Sequence, residues 1–350
     1  MKVLIIGGGA IGCLLSARVA AAGHAVTLMA RPVTVDAIRA DGLRLVEADG
    51  QVVSPQVQTA AALADAFTGG PPFDLAVVSV KAYDTASLAA DLHSALPAPP
   101  PILSVQNGVG NEETLAAALD APILAGTLTT PVEVLAPGHV RVARPSYKFA
   151  VAPGPGAVDA KRVADLFQDA GFSTQVFEDY RSLKWCKLLM NILANAQSAI
   201  LGFTPSQIFA DKALGNLEVE AWREALAVMA AQGISAVPLA GYPLPQIVPL
   251  VRHLPMALVR PVLGRAIAGG RGSKMPSLTY DLHPKRRGRS EVSWLNGAVA
   301  ARARELGLHA PVNDTLTHLL LDLVEGRSPI ETWTGQPERL LAAVASRRSG

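Results

Sequence analysis

Four glycines within six residues, Gly7-Gly8-Gly9-Ala10-Ile11-Gly12, follow directly on the apolar run Lys2–Ile6. No other feature restricts the fold of this chain so tightly. A run that is apolar at consecutive positions and rich in branched side chains suits a strand covered on both faces. Ala10–Ala22 then has helical character up to Gly23, and His24–Ala30 reads as a second strand. The spacing is that of G-x-G-x-x-G inside a strand–loop–helix–strand unit, where each glycine has a physical task. Gly7 permits the tight turn out of the strand, Gly9 lets backbone approach a pyrophosphate, and Gly12 lets the helix pack closely on the sheet. The new helix adds free N–H groups and the positive end of its dipole. Such a loop between a strand and a helix, with a second strand at the right distance, points to a dinucleotide site more than to a purely structural turn.

The pattern continues beyond the loop. Strand-like runs at Leu75–Val80, Ile102–Val105 and Ile123–Thr127 alternate with helical stretches such as Thr85–Leu96 and Glu112–Leu119. Alternation of this kind predicts right-handed crossovers and an α/β, mostly parallel, doubly wound sheet of the Rossmann type. Val140–Val142 and Phe149–Val151 are expected as antiparallel additions at its edge. The alternation stops near Asp179, and from Leu183 onward the signal is helical almost to the C-terminus. A length of 350 residues accommodates two domains. The expected division is a dinucleotide-binding domain over 1–178 and an all-helical substrate and catalytic domain over 179–345. Pro97–Pro101 is expected as a tight loop, Gly269–Gly272 as a flexible one, and Ser346–Gly350 as a disordered tail.

Composition excludes several classes. Half of the residues are hydrophobic and 17% are charged, which argues for large cores and against general disorder. The formal charge of +2 supplies no field to attract nucleic acid or an anionic membrane. Cys13 and Cys186 lie in apolar helical stretches and lack metal-ligand spacing to histidine. Buried free thiols, no metal, and a reducing, cytoplasmic compartment are therefore expected. The N-terminus superficially resembles a signal peptide, but three consecutive glycines and Arg18 interrupt it. Tyr242–Gly264 is apolar on average, yet five prolines together with Arg252, His253 and Arg260 rule it out as a membrane span.

The ends of the strands carry the candidate site. After the second strand an acidic residue would bind ribose hydroxyls, as NAD enzymes require; this chain has Leu28-Met29-Ala30-Arg31-Pro32. A guanidinium at Arg31 suits a 2′-phosphate, so NADPH/NADP+ is favoured over NADH. Lys81 and Asn107 follow two further strands and are placed for cofactor or substrate, although Asn107-Gly108 also reads as an ordinary turn. In the helix Leu183–Gln197, Lys187, Asn191 and Asn195 fall at i, i+4 and i+8 on one face. A polar stripe among apolar neighbours is costly unless it meets a ligand or water; an exposed helix face is the alternative. Lys285–Arg289 reads as a solvated basic turn, and Glu291 as a first-turn carboxylate of a helix.

In this order, Gly7–Gly12, Arg31, Lys81, Asn107-Gly108, the Lys187/Asn191/Asn195 helix, Ser277, and Glu291 with Asn296-Gly297 resemble the ketopantoate reductase (2-dehydropantoate 2-reductase) family over nearly the whole chain. The resemblance implies a helical second domain like the C-terminal domain of 6-phosphogluconate dehydrogenase. It implies NADPH-dependent reduction of ketopantoate to pantoate, in pantothenate synthesis, by an oxidoreductase. Lys187 would be the general acid, with Glu291 an acidic residue near cofactor and substrate. Gly7, Gly8, Gly9, Ala10, Ile11, Gly12, Arg31, Lys81, Asn107, Glu291 and the Val132 backbone would hold the cofactor. Asn107, Lys187, Asn191, Asn195 and Ser277 would bind a small 2-oxo acid. The chain departs from the family at Lys274-Met275-Pro276, in the proline-rich stretch Ala231–Gly272, and in a longer loop between Asp281 and Glu291. These departures bear on the substrate more than on the chemistry, so another 2-oxo acid, ketone or imine is a second reading. A non-catalytic NADP(H) sensor is a third, which the Lys187 stripe disfavours. A homodimer through the helical domain is expected by analogy alone.

Overall fold

The computed structural model describes residues 1–67, 72–96, 98–156, 159–239, 241–271, 275–284 and 286–348, with backbone only over 266–271. The chain forms two compact units, Met1–Gln106 with Gly110–Lys184, and Asn107–Val109 with Trp185–Gly350.

In the first unit, β1 (Lys2–Ile6) explains its own sequence. Val3 and Ile5 point to one face of the sheet and pack with Leu14, Leu15, Phe149 and Phe167. Leu4 and Ile6 point to the other and pack with Leu88, Leu92 and Leu115. Both faces are covered, so every second-position alternation is lost and the run is apolar throughout. After β1 come α1 (Ala10–Ala21), β2 (Ala25–Met29), α2 (Pro32–Asp41), β3 (Arg44–Val46), β4 (Val52–Val53), β5 (Gln58–Ala60) and α3 (Leu63–Phe67). The chain continues through β6 (Leu75–Val78), α4 (Thr85–Ala95), β7 (Ile102–Ser104), α5 (Asn111–Ala118) and β8 (Ile123–Leu128). It closes with β9 (Val132–Ala136), β10 (His139–Val142), β11 (Lys148–Pro153), α6 (Lys161–Asp169) and β12 (Ser173–Val176).

The main sheet has the order β12-β11-β8-β7-β6-β1-β2-β5. Its strands from β8 to β5 run parallel, β11 lies antiparallel to β8, and β12 runs parallel to β11. The chain leaves β1 for β2 on one side and later returns to β6 on the other. That reversal makes the carboxyl ends of β1 and β6 the place where open α/β sheets bind ligands.

Phe149–Val151 takes the antiparallel place expected of it. Val140–Val142 does not join this sheet. β10 pairs with β9 and β3 in a second sheet of order β4-β3-β10-β9. Its alternate apolar residues, Val140 and Val142, are buried in the core that also holds Leu43 and Leu45, which anchors the β9–β10 hairpin there.

The second unit is helical. It contains the greater part of α7 (Tyr180–Ile192), then α8 (Asn195–Leu201), α9 (Pro205–Ala210), α10 (Lys212–Ala231), α11 (Leu244–His253) and α12 (Met256–Arg271). α13 (Thr279–Leu282), a 3-10 turn at Glu291–Trp294, α14 (Asn296–Glu305), α15 (Pro311–Val324) and α16 (Pro337–Arg348) complete it. Alternation of strand and helix ends at Asp179, but the compact units part within α7. The first turn of α7 belongs to the first unit because Lys184, buried there, lies 2.9 Å from Glu112 and donates to the Gln106 carbonyl at 2.6 Å.

Two expected irregular segments are helical. α12 runs on to Arg271, through the glycines expected to form a flexible loop. α16 continues to Arg348, held by buried Leu340 and Val344 one turn apart, so Ser346–Arg348 are not a disordered tail. Pro97, Gly272, Lys274, Lys285, Ser349 and Gly350 lie outside the described residues. No helix among the described residues is long and apolar enough to cross a membrane.

Candidate active site

The glycine loop leaves β1 through Gly7 at φ +119°, a backbone region that L side chains rarely adopt. Its N–H donates to the Met29 carbonyl at 2.9 Å, tying the loop to the end of β2. A Cβ on Gly12 would stand 1.7 Å from the Gly7 carbonyl oxygen. The third glycine is thus required by the loop's own first turn and by the end of β6, since the same Cβ would lie 2.8 Å from Ser79 Oγ. A Cβ on Gly8 would collide with Ala30 Cβ at 2.5 Å. Gly9 is different: it is exposed, and a Cβ there would meet nothing within 4 Å. Bare backbone facing open space at the head of α1, where Ala10 and Ile11 begin the helix, is what a pyrophosphate requires. The residues present fit the group.

Ser79, just past β6, is a member of this loop that sequence reasoning missed. Its hydroxyl reaches the Ile6 and Gly7 carbonyls at 3.0 Å each. Its only signal was a polar residue closing an apolar strand. Cys13 donates to the Gly8 carbonyl at 3.6 Å, and burial pushes its thiol up to about 12. Arg31 is exposed at the N-cap of α2, immediately beyond β2. Lys81 is half-buried before the 3-10 turn Ala82–Asp84, and its carbonyl accepts the Asp84 N–H at 2.9 Å. Val132 opens β9 and packs on the core that surrounds α1.

In the second unit, Asn107, Asn191, Asn195 and Ser277 form one chain of hydrogen bonds. Asn191 Nδ2 donates to Asn107 Oδ1 at 3.0 Å. Asn195 Nδ2 donates to the Asn191 carbonyl at 3.0 Å and to Ser277 Oγ at 3.2 Å, while its Oδ1 accepts the Leu278 N–H at 3.0 Å. Lys187 stands one turn before Asn191 on α7, and both are half-buried. Ser277 is exposed, whereas Asn195 is only 1% exposed with both amide hydrogens engaged inside the unit.

The Asn107-Gly108 pair is more than an ordinary turn. Gly108 has φ +85°, and a Cβ there would lie 2.5 Å from the Trp294 carbonyl oxygen. The Val109 N–H donates to that same oxygen at 3.2 Å. The segment is thereby fixed to the 3-10 turn that Glu291 begins. Glu291 itself is 4% exposed, and the preceding Ser290 caps the turn by accepting the Val292 N–H. The Ser290 hydroxyl in turn donates to Asp281 Oδ2 at 2.9 Å.

The expected continuous helix over Leu183–Gln197 is broken. α7 ends at Ile192, Ala194 adopts φ +54° and ψ +16°, and α8 starts at Asn195. A left-handed alanine costs roughly 1–2 kcal/mol. Its N–H is taken by the buried carboxylate Glu218 Oε2 at 2.8 Å instead of by the preceding turn. Lys187 and Asn191 keep their one-turn spacing, but Asn195 belongs to a second helix and is turned toward Ser277. The signal for Glu218 was present: it lies on the same face of α10 as Leu214, Ala221, Trp222 and Ala225, all buried.

Comparison with known proteins follows the same outline. The family model described as ketopantoate reductase PanE/ApbA matches residues 3–156, and its C-terminal counterpart matches residues 179–324. A 2-dehydropantoate 2-reductase of Halobacterium salinarum is 32% identical over 327 residues, covering 91% of this chain and 98% of that protein. One from Archaeoglobus fulgidus is 29% identical, over 93% of this chain and 98% of its own length. Among solved structures, a PanE/ApbA family ketopantoate reductase from Ralstonia eutropha superimposes with a TM-score of 0.77 at 30% identity, over 93% of this chain and 99% of that one. The ternary structure of D-mandelate dehydrogenase with NADH and anilino(oxo)acetate shares the fold, with a TM-score of 0.77 at 20% identity over 93% of this chain and 99% of that one.

Proposed function

This chain belongs to the ketopantoate reductase family, a family of oxidoreductases, and from that premise we propose that it reduces ketopantoate to pantoate with NADPH. The observation that carries the reading is the Asn107–Asn191–Asn195–Ser277 chain of hydrogen bonds, one helical turn from Lys187. In a sensor this array of amides and a hydroxyl beside a lysine would have no task.

When bound, the nicotinamide supplies the hydride for the C2 ketone. The Gly7–Gly12 backbone and the N–H groups at the head of α1 would hold the pyrophosphate. Arg31 would pair with a 2′-phosphate by charge and a forked geometry. Lys81, Asn107 and the Val132 backbone would complete the cofactor contacts, with Glu291 near the nicotinamide end. Lys187 would give its proton to the developing alkoxide and stabilise charge on that oxygen. Asn191 and Ser277 would orient the carboxylate and hydroxyl ends of the substrate, with Asn195 behind them.

The test is loss of nicotinamide absorbance on mixing protein, NADPH and ketopantoate, with NADH in parallel and a panel of other 2-oxo acids, ketones and imines. Turnover that is selective for NADPH and has its highest kcat/KM on ketopantoate supports the reading. Tight NADPH binding with a better substrate elsewhere in the panel moves the assignment to that compound. The notable length and proline content of Ala231–Gly272 make that panel worth running.

A further inference from the structure

α10 fixes the break after α7 from two successive turns. Glu218 Oε2 accepts the Ala194 N–H at 2.8 Å, and Trp222, four residues on, donates its Nε1–H to the Leu189 carbonyl at 2.9 Å. Glu218 is 1% exposed. A carboxyl group placed so deeply is retained only where it satisfies something, and here it meets an N–H that a continuous helix would spend on Met190. The alanine beside it adopts a conformation ordinarily left to glycine. Directly after this turn comes Asn195, whose amide holds Ser277 Oγ and the Leu278 N–H.

We propose that Glu218 is a positioning residue for the substrate side of the site. By accepting the Ala194 N–H it maintains the left-handed turn that aims Asn195 at Ser277. It touches neither substrate nor cofactor, and acts through the backbone of Ala194. A helix running on from Ile192 would carry Asn195 on the Lys187/Asn191 stripe and withdraw its amide from the Ser277 loop. The inference rests on the reading of Ser277 as a substrate-binding hydroxyl.

Four proteins test it: Glu218→Leu, which removes the acceptor; Glu218→Gln, which keeps an acceptor oxygen; Ala194→Gly, which relieves the left-handed conformation; and the double Glu218→Leu/Ala194→Gly. Two measurements are made on each. The first is steady-state kinetics. Glu218→Leu is expected to raise KM for the 2-oxo acid about tenfold, the loss of one directed hydrogen bond, with kcat and the NADPH Kd changed less than about threefold. Glu218→Gln recovers most of the loss, and the double variant recovers part of it because glycine holds the turn unaided.

The second measurement is amide hydrogen exchange without substrate. In Glu218→Leu, protection falls together at Leu193–Gln197 and at Leu278–Leu282, and the double variant restores both. If Glu218→Leu is folded with KM unmoved and exchange at Leu278–Leu282 unchanged, the proposal is overturned. It is equally overturned if kcat falls, KM rises and NADPH binding weakens together without rescue. If no 2-oxo acid is turned over by the parent protein, the functional reading fails. The exchange measurement then still decides whether Glu218 positions the Ser277 loop.

Discussion

At Gly9 and Gly12 the same added methyl group has opposite expected consequences. On Gly12 it would stand 1.7 Å from a carbonyl oxygen, so Gly12→Ala forces the loop apart and lowers Tm along with cofactor binding. On Gly9 it would meet nothing of the protein, so Gly9→Ala keeps Tm within a degree or two (about ±0.5 kcal/mol) and weakens NADPH binding at least about tenfold. Calorimetry beside a fluorescence titration separates the two. Arg31 is exposed at the end of β2, and the proposed function gives it a 2′-phosphate to bind. Arg31→Ala should raise KM for NADPH roughly 10- to 100-fold, the range of one hydrogen bond to a charged group, and leave KM for NADH nearly unchanged. A parallel rise for both cofactors would refute the 2′-phosphate assignment. Lys187→Ala should lower kcat by roughly 10²- to 10⁴-fold while NADPH still binds, as expected for loss of a proton donor.

Among the elements, α15 is held at its head by a carboxylate from α10. Glu224 accepts the Val312 and Asn313 N–H groups at 2.9 and 3.0 Å, and Asn313 Nδ2 at 2.7 Å. Burial outweighs these bonds and raises its carboxyl above the ordinary 4.5. In the unfolded chain the ordinary value returns, so between the two values the folded state holds the extra proton. Stability from this group is therefore fully present below the unfolded value and is lost as pH rises through the folded one. Glu224→Gln removes that slope. Measured from about pH 4 to about pH 8, the difference in Tm, parent minus variant, should fall as pH rises. A difference that is flat or grows would contradict the raised value. The same helix carries Glu218, so two carboxyl groups of α10, one buried and one half-buried, serve two separate backbone segments. Neither follows from helix propensity, which treats glutamate as an ordinary surface residue.

For the whole molecule, the residues proposed for cofactor and substrate come from both compact units. The glycine loop, Arg31, Lys81 and Val132 belong to the first, and Asn107, Lys187, Asn191, Asn195, Ser277 and Glu291 to the second. At about a hundred times its Kd, a ligand stabilises the folded state by roughly 2.7 kcal/mol. NADPH should therefore raise Tm in the parent protein and equally in Ser277→Ala, but by no more than about half as much in Gly9→Ala at the same concentration. Abolition of the shift by Ser277→Ala would refute the assignment of Ser277 to the substrate.

Local pattern was enough for β1, the glycine loop, α1 and the parallel sheet, because two-sided burial and backbone conformation leave their mark on consecutive residues. The candidate residues were singled out in the same way: Lys187 and Asn191 by spacing on one helix, Arg31 and Lys81 by position after a strand. Tertiary structure decided what depends on residues distant in sequence. β10 joined β3 in a separate sheet because its apolar face found the core beside Leu45. Asn107-Gly108 became a fixed segment because Trp294, nearly two hundred residues on, presents its carbonyl to it. The stripe of Lys187, Asn191 and Asn195 broke because Glu218 offered Ala194 a stronger acceptor than its own helix. A sequence records the period of an element; a buried acceptor brought in from another helix can interrupt that period, and only the packed chain shows where.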